Sequence, residues 1–153
     1  ALTVEAIKRR RATMDDRVQA VCEYLTSKNI PWFLGGSRRF GYDNKNSDVD
    51  IHILLGPRKD ELRLEWDVVY NQDYPMEVWR TTMFGLQVDL IVHSSRVTFE
   101  VEEANHLVVE SLLGRQPSIC DFIKAEGPKK PGRGALIYRT LLRLAKSHHR
   151  PPR

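Results

Sequence analysis

The chain has little cysteine, no long apolar run and no internal repeat. Its 153 residues include two cysteines, Cys22 and Cys120, which lie far apart in the sequence and are expected to be reduced thiols. No apolar stretch approaches the ~20 residues that a membrane span needs, and no signal-peptide pattern opens the chain. We therefore expect a cytoplasmic protein that has no membrane partner.

The composition is that of an ordinary globular domain, with 29% charged and 41% apolar residues. The length predicts one domain over residues 1–153, with a core at 1–126 and a basic linker and C-terminal helix at 127–153. The order of the elements predicts an α+β fold, in which helices and a helical C-terminal extension flank a small mixed or antiparallel sheet.

Apolar periodicity and turn residues predict the individual elements. Helices are expected at 3–27, 95–113, 118–125 and 134–147, and strands at 32–34, 49–55, 75–83 and 84–92. Residues 58–70 suit either a helix or a strand. Gly114 is expected to end the helix that Ser94 or Ser95 caps, and residues 127–132 read as a linker.

The most informative segment joins a glycine turn to two alternating carboxylates. Gly35, Gly36 and Ser37 follow a short apolar strand, and Asp48 and Asp50 lie about ten residues further on. Side chains two residues apart on a strand share a face, so these carboxylates are expected to stand side by side. They repel each other unless a cation or a shared proton separates them. Because carboxylate oxygens beside substrate phosphates suit Mg²⁺, the segment predicts metal-dependent phosphoryl or nucleotidyl transfer.

The residues at the glycine turn suit a triphosphate. Gly35 and Gly36 permit a close approach to the backbone, and Ser37 is expected to cap a short helix. A helix N-terminus attracts anions, and Arg38 and Arg39 add positive charge at this point.

A third carboxylate, Asp89, interrupts the strongest apolar strand pattern in the chain. A charge on a buried strand is costly without a partner, so Asp89 is expected to contact a metal ion or another cation. If its strand neighbours the strand of Asp48 and Asp50, three carboxylates converge and two metal ions can bind between them.

This order of motifs resembles the polymerase-β-type nucleotidyltransferase superfamily, in the form of a small stand-alone domain with a palm-like core. Gly-Ser is followed after about ten residues by Asp-x-Asp and later by an aspartate on a strand, over about residues 32–93. The resemblance implies transfer of a nucleoside monophosphate from a nucleoside triphosphate, with ATP among the candidates, to a hydroxyl acceptor. Pyrophosphate is the other product, and two Mg²⁺ or Mn²⁺ ions are the implied cofactors.

The same resemblance implies a role for each matching residue. Asp48, Asp50 and Asp89 are the implied metal ligands and catalytic residues, and Asp89 also helps to activate the attacking hydroxyl. The residues expected to bind the nucleotide are Gly35, Gly36, Ser37, Arg38, Arg39 and Ser47.

Each of these signals has a simpler interpretation. Gly-Gly-Ser is often only a turn, and Asp48 and Asp50 can be solvated carboxylates on an edge strand. Asp89 can be the ion-pair partner of an arginine. A second hypothesis is therefore a binding module of the same fold, antitoxin-like or otherwise, that binds a protein or nucleic acid without turnover.

The C-terminal part of the chain is basic. Residues 121–153 contain nine Lys and Arg against two Asp and Glu, while residues 1–120 contain 15 against 18. A basic segment suits a polyanion, so an RNA or tRNA end is one expected acceptor; a partner protein and a small hydroxyl compound are the others. The residues expected to contact nucleic acid are Lys129, Lys130, Arg133, Arg139, Arg143 and Lys146. The alternative is that they form a solvated helix surface.

Histidines and aromatic residues carry weaker signals. His52, His93 and His106 are interpreted as structural, and His52 is expected to point away from the face that carries Asp50. Tyr42, close to the glycine turn, is a candidate for contact with a nucleobase.

Overall fold

A computed structural model describes residues 15–59, 67–69, 76–126 and 133–148, with the backbone alone for 67–69 and 148. The helices are α1 (Asp16–Ser27), α2 (Gly36–Phe40), α3 (Arg96–Arg115), α4 (Ser118–Ala125) and α5 (Arg133–His148), and a 3₁₀ turn spans Gly56–Arg58. The strands are β1 (Trp32–Gly35), β2 (Val49–Leu54), β3 (Asp67–Val69), β4 (Glu77–Met83) and β5 (Leu86–His93). The predicted helical residues 3–14 and the predicted linker 127–132 lie outside the described residues.

The described strands form one sheet in the order β1-β2-β5-β4-β3. β2 and β5 are parallel, whereas the pairs β1–β2, β4–β5 and β3–β4 are antiparallel. The predicted α+β class, with a small mixed sheet flanked by helices, is confirmed. The parallel pair places the two aspartate-bearing strands side by side at the centre of the sheet.

One face of the sheet packs against α1. Alternate residues of the central strands point to this face because the side chains of a strand alternate between faces. Trp79 of β4 and Leu25 of α1 are fully buried there. The other members of this core cluster include Val18, Val21, Cys22, Val49, Ile51, Ile53, Val88, Leu90 and Val92.

The opposite face of the sheet carries α2, α3 and α5. A second apolar cluster joins these helices and consists of Phe40, Tyr42, Val109, Leu112, Leu113, Leu141 and Ala145. Tyr42 is buried within it and its ring lies 6.3 Å from that of Phe40. The suggested contact of Tyr42 with a nucleobase is therefore wrong, because the ring is already used in packing.

The helix ends follow from local hydrogen bonds. The Asp15 side chain accepts from the Arg17 N–H at 2.8 Å and caps α1, and the Ser95 hydroxyl accepts from the Thr98 N–H at 3.2 Å and caps α3, as predicted for Ser95. The prediction that Gly114 ends α3 is wrong, since the Gln116 N–H still bonds to the Leu112 carbonyl and the helix runs through the glycine.

The hairpin that joins β4 to β5 contains a strained residue. Phe84 and Gly85, between the paired Met83 and Leu86, have φ of 54° and 76°, the pattern of a type I′ turn. Phe84 is 56% exposed, so its ring gains little from burial. We expect Phe84→Asn to raise the free energy of unfolding by about 1 kcal/mol, because asparagine tolerates positive φ. Urea denaturation of the two proteins measures this, and an unchanged or lower value would contradict it.

Both cysteines are free, as predicted. Cys22 is buried, which raises the pKa of its thiol to about 12. The Cys120 thiol donates to the Phe40 carbonyl at 3.2 Å. None of the helices among the described residues is long and apolar enough to cross a membrane.

Candidate active site

Three residues that carry the sequence signal lie in one row across the sheet, together with an arginine. Gly35 pairs with Asp50, Asp50 pairs with Asp89, and Asp89 pairs with Arg80, so the row crosses β1, β2, β5 and β4. Paired residues of neighbouring strands point to the same face and lie about 5 Å apart. The structure therefore brings Asp50 and Asp89 together, as the sequence predicted, and adds an arginine to them.

Gly36 gives the Asp50 carboxylate its space. A Cβ placed on Gly36 would lie 2.4 Å from Asp50 Oδ2 and 3.2 Å from Asp50 Cγ. Gly36 also has a φ of 65°, which side-chain-bearing residues rarely adopt. The backbone of the glycine turn and the carboxylate are thus in direct contact, and only glycine permits this arrangement.

Asp89 is paired with Arg80. Arg80 Nε donates to Asp89 Oδ1 at 2.8 Å and Arg80 Nη2 donates to Asp89 Oδ2 at 3.2 Å, so the guanidinium engages both carboxylate oxygens. Asp89 is buried, whereas 43% of the Arg80 side chain is exposed. The alternative interpretation of Asp89 as the partner of an arginine is therefore correct for this structure.

Asp48 lies at the exposed edge of the same site. Its Oδ2 accepts from Gln87 Nε2 at 2.9 Å, which links the start of β2 to β5. The pKa of Arg80 is raised, first by the hydrogen bonds that it donates to Asp89 and then by the negative charges of Asp89, Asp48 and Asp50. All three predicted carboxylates consequently lie within electrostatic reach of one guanidinium.

The donor set suits a divalent cation in part. Carboxylate oxygens are the ligands that Mg²⁺ and Mn²⁺ take in proteins, and Asp48 and Asp50 supply them at an open edge. Among the described residues, however, no group of three His, Cys, Asp or Glu side chains is arranged to hold a metal ion. Arg80 engages both oxygens of Asp89. By their chemistry Asp48 and Asp50 suit a cation, whereas the structure pairs Asp89 with Arg80.

The serines expected to bind the nucleotide are placed differently from the prediction. α2 begins at Gly36 with Gly35 as its N-cap, so Ser37 lies inside the helix and is buried. The Ser47 hydroxyl accepts from the Asn44 N–H at 2.9 Å, and the Ser47 carbonyl accepts from Arg38. The prediction that Ser37 caps the helix is therefore wrong, and Ser47 stabilises the turn that precedes Asp48.

Arg38 and Arg39 point away from solvent into the protein. Arg38 donates to the Ser47 carbonyl through Nε at 3.1 Å and Nη2 at 2.7 Å. Arg39 donates to Glu110 Oε1 at 2.7 Å and to the Leu34 carbonyl at 3.0 Å. Each side chain is only 5% exposed. Both arginines were expected beside a triphosphate, but here they make internal contacts. Arg38 holds the loop before Asp48, and Arg39 holds α2 against α3.

A buried histidine cluster lies next to the carboxylates. His52 Nδ1 is 2.8 Å from His93 Nε2, and His106 Nδ1 donates to the Glu102 carbonyl at 2.7 Å. A Cβ on Gly35 would lie 3.0 Å from His106 Nε2 and 3.2 Å from His52 Cδ2, so the cluster uses the space that this glycine leaves. The expectation that His52 points away from Asp50 is wrong, because residues two apart on a strand share a face.

The histidine cluster predicts a stability that depends on pH. Burial lowers the pKa of His106 from 6.5 to about 4, and burial also lowers the pKa of His93. As the pH falls below 6.5 the unfolded chain takes up protons first, so stability is highest above pH 6.5 and decreases towards pH 4. His106 alone accounts for about 3 kcal/mol of this loss. Urea denaturation at pH 7.5 and 4.5 measures it.

The matched control for this prediction is His106→Gln, whose amide N–H can still donate to the Glu102 carbonyl. Carboxylates titrate alike in both proteins, so the difference between the two pH dependences isolates the imidazole. We expect the variant to lose about 2–3 kcal/mol less than the wild type between the two pH values. Parallel pH dependences would show that His106 is not responsible.

The basic C-terminal residues divide into three groups. Lys129 and Lys130 lie outside the described residues. Arg133 forms an ion pair with Glu126, so its predicted contact with nucleic acid competes with an internal one. Arg139, Arg143 and Lys146 are exposed on α5. Arg139 and Arg143 are four residues apart and therefore share one side of the helix.

Comparison with known proteins yields matches only among solved structures. No protein-family profile and no curated protein matches the chain. Cid1, named for its RNA terminal uridylyl transferase activity, is 18% identical with a TM-score of 0.41, over 73% of this chain and 36% of that one. Cid1 poly(U) polymerase with MgGTP is 19% identical with a TM-score of 0.41, over 74% and 38%. A cytoplasmic RNA terminal U-transferase is 19% identical with a TM-score of 0.38, over 74% and 35%.

The chain spans less than two fifths of the length of these structures. By their names they are nucleotidyltransferases, the class that the Gly-Ser and Asp-x-Asp motifs resemble. The site described above stands on the residue contacts of this chain alone.

Sequence reasoning missed Arg80 and Gln87. The position of Arg80 follows from the register of the β4–β5 hairpin, in which a two-residue turn at Phe84 and Gly85 sets Arg80 opposite Asp89. The position of Gln87 follows from the parallel pairing of β5 with β2, which brings it beside Asp48. Gly85 between two strand patterns is a turn signal, and counting back from that turn reaches the arginine.

Proposed function

We propose that this chain is a nucleotidyltransferase that moves a nucleoside monophosphate from a nucleoside triphosphate to a hydroxyl acceptor and releases pyrophosphate. The observation that carries the proposal is the contact between the glycine turn and the carboxylates. Asp50 lies against Gly36 and in register with Asp89. A phosphate chain on the turn would have its reacting end beside these carboxylates.

The chain's own residues have separate tasks in this proposal. Asp48 and Asp50 would hold a divalent ion, Mg²⁺ or Mn²⁺. Asp89 would accept the proton that the attacking hydroxyl loses as its oxygen bonds to the phosphorus and pyrophosphate leaves. A bound ion would supply the positive charge that offsets charge developing on the phosphate oxygens. Gly36 leaves room for the Asp50 carboxylate against the backbone of the turn, and Arg38 orders the loop before Asp48 from inside the protein.

The acceptor that we propose is an RNA 3′ end, with tRNA as the practical probe. Arg139, Arg143 and Lys146 place three exposed positive charges on α5. Such residues contact phosphates without reading sequence, which suits an enzyme that recognises an end. A protein hydroxyl remains the second acceptor class.

A second candidate function is binding without turnover. The observation that favours it is the Arg80–Asp89 pair, which engages one of the three carboxylates with an internal cation. In this case the chain binds a triphosphate or a partner, and the carboxylates do no chemistry.

The experiment that separates the two candidates measures pyrophosphate release. Each of the four ribonucleoside triphosphates is supplied with Mg²⁺ or Mn²⁺, with and without bulk tRNA. Release that requires the metal and tRNA supports RNA nucleotidyl transfer. Metal-dependent release without tRNA supports transfer to another acceptor. Triphosphate binding with no release in any combination contradicts transfer to RNA and leaves a protein acceptor or the binding module.

A further inference from the structure

Arg80 is an exposed cation placed on a carboxylate that the proposed chemistry needs. Its guanidinium contacts both oxygens of Asp89, at 2.8 and 3.2 Å, in a two-point geometry that is among the strong charge-assisted hydrogen bonds. Arg80 and Asp89 are also paired residues of the neighbouring strands β4 and β5, so the backbone of the sheet holds the two side chains next to each other. Asp89 is buried, and a buried carboxylate without a cation is costly.

Arg80 donates one N–H to each oxygen of Asp89 and places its positive charge against the carboxylate, so a divalent ion at these oxygens is repelled by the guanidinium and competes with it. The other two carboxylates, Asp48 and Asp50, act on Arg80 through their charges, while Asp48 Oδ2 accepts a hydrogen bond from Gln87 Nε2. The site is thus asymmetric, with an exposed side at Asp48 and a side closed by the arginine at Asp89. Since 43% of the Arg80 side chain is exposed, the guanidinium can swing into solvent without breaking the core.

We propose that Arg80 is an internal competitor for the cation site at Asp89, so that a divalent ion reaches Asp89 only by displacing the guanidinium. This inference rests on the proposed function for its biological role but not for its test, which measures metal binding in the absence of nucleotide. The first ion binds at Asp48 and Asp50. Arg80 keeps the site from filling until a ligand supplies another partner for the guanidinium, and a phosphate group is such a partner.

The test measures Mn²⁺ binding to the full chain, either by calorimetry or from the electron paramagnetic resonance signal of free Mn²⁺. In Arg80→Gln we expect the Mn²⁺ concentration that half-saturates the protein to fall about tenfold relative to the wild type, equivalent to about 1.4 kcal/mol. Arg96→Gln is the control, because it removes an exposed positive charge whose partner is Glu100, at 3.6 Å, instead of a site carboxylate. This control should change the value by less than about twofold.

A double variant separates direct competition from long-range charge. If Arg80 acts through Asp89, Arg80→Gln in an Asp89→Asn background should tighten binding by less than about threefold, because the contested oxygens are no longer a carboxylate. An equal tenfold gain in both backgrounds would show that Arg80 acts only through its charge. No gain from Arg80→Gln in the protein that keeps the native Asp89 would also refute competition.

Arg80→Lys keeps the charge and the apolar stem, and it serves as the test if Arg80→Gln fails to fold. Lysine cannot engage both oxygens in the planar geometry of arginine, so we expect binding about threefold tighter than in the wild type. Unchanged affinity would overturn the proposal. If the wild type releases no pyrophosphate while these variants bind Mn²⁺ more tightly, the proposed enzyme activity is rejected and the role of Arg80 is retained.

Discussion

Replacing Asp50 by asparagine is expected to reduce pyrophosphate release by about a thousand-fold or more. Asp50 lies between the glycine turn and Asp89, so its negative charge is the one closest to both the nucleotide and the second carboxylate. Asparagine has the same shape but no charge, and a metal ligand contributes several kcal/mol to the transition state. The measurement is the rate of release with saturating triphosphate and metal.

The control for Asp50→Asn is Asp121→Asn, which neutralises an exposed carboxylate in the first turn of α4. Asp121→Asn changes the net charge by the same amount as Asp50→Asn. Asp121 is far in sequence from Asp48, Asp50 and Asp89 and lies on a helix instead of the sheet. We expect this variant to retain full turnover. Thermal unfolding of both variants must resemble the wild type, because the substitution keeps the shape of the side chain. If folded Asp50→Asn released pyrophosphate as fast as the wild type, the assignment of Asp50 to the active site would be wrong.

Replacing Gly36 by alanine is expected to reduce turnover about a hundred-fold and stability by about 1–2 kcal/mol. The new Cβ would lie 2.4 Å from Asp50 Oδ2, a distance that real contacts do not allow, so the carboxylate must move. The φ of 65° adds the strain of a left-handed conformation. A displacement of this order at a reacting group costs about two orders of magnitude in rate. Turnover and urea denaturation are measured on the same preparations.

Gly41 supplies the matched control for Gly36. Its φ is 89°, so alanine is strained there as well, but a Cβ at this position meets no atom within 4 Å. Gly41→Ala should therefore lose a similar amount of stability and retain turnover. If both variants lose turnover equally, backbone strain and not the position of Asp50 is the cause. If Gly36→Ala retains turnover, the turn is not part of the site.

Local sequence was sufficient for most of the elements and for the order of the carboxylates, but it left residues 58–70, which contain β3, open between a helix and a strand. The strands around Asp50 and Asp89 were predictable because apolar residues alternate or run continuously there, and polar turns bound them. The parallel pairing of β2 with β5 also agrees with the prediction that these two strands are neighbours. The hydrogen-bonding partners of the side chains were not predictable in the same way, because they come from residues distant in sequence.

The arginines illustrate this limit. Arg38 and Arg39 stand next to the glycine turn in sequence and were expected to face a phosphate. In the fold they turn inward to the Ser47 carbonyl and to Glu110, the latter 71 residues away. Arg80 was not selected from sequence, since nothing near it in the chain marks it as special. Register across a hairpin makes it the partner of Asp89.

By itself the sequence determined the α+β class, the glycine turn and the placement of Asp50 and Asp89 on strands, with Asp48 directly before the first of them, because these depend on the side-chain period and on local turns. Only the tertiary structure decided that Asp89 contacts Arg80 and that the Asp50 carboxylate packs against Gly36. It also decided that His52 shares the face of Asp50 and packs with His93. The physical reason is that strand register and packing join residues far apart in the chain, and the desolvation of each charge depends on the partner that it meets there.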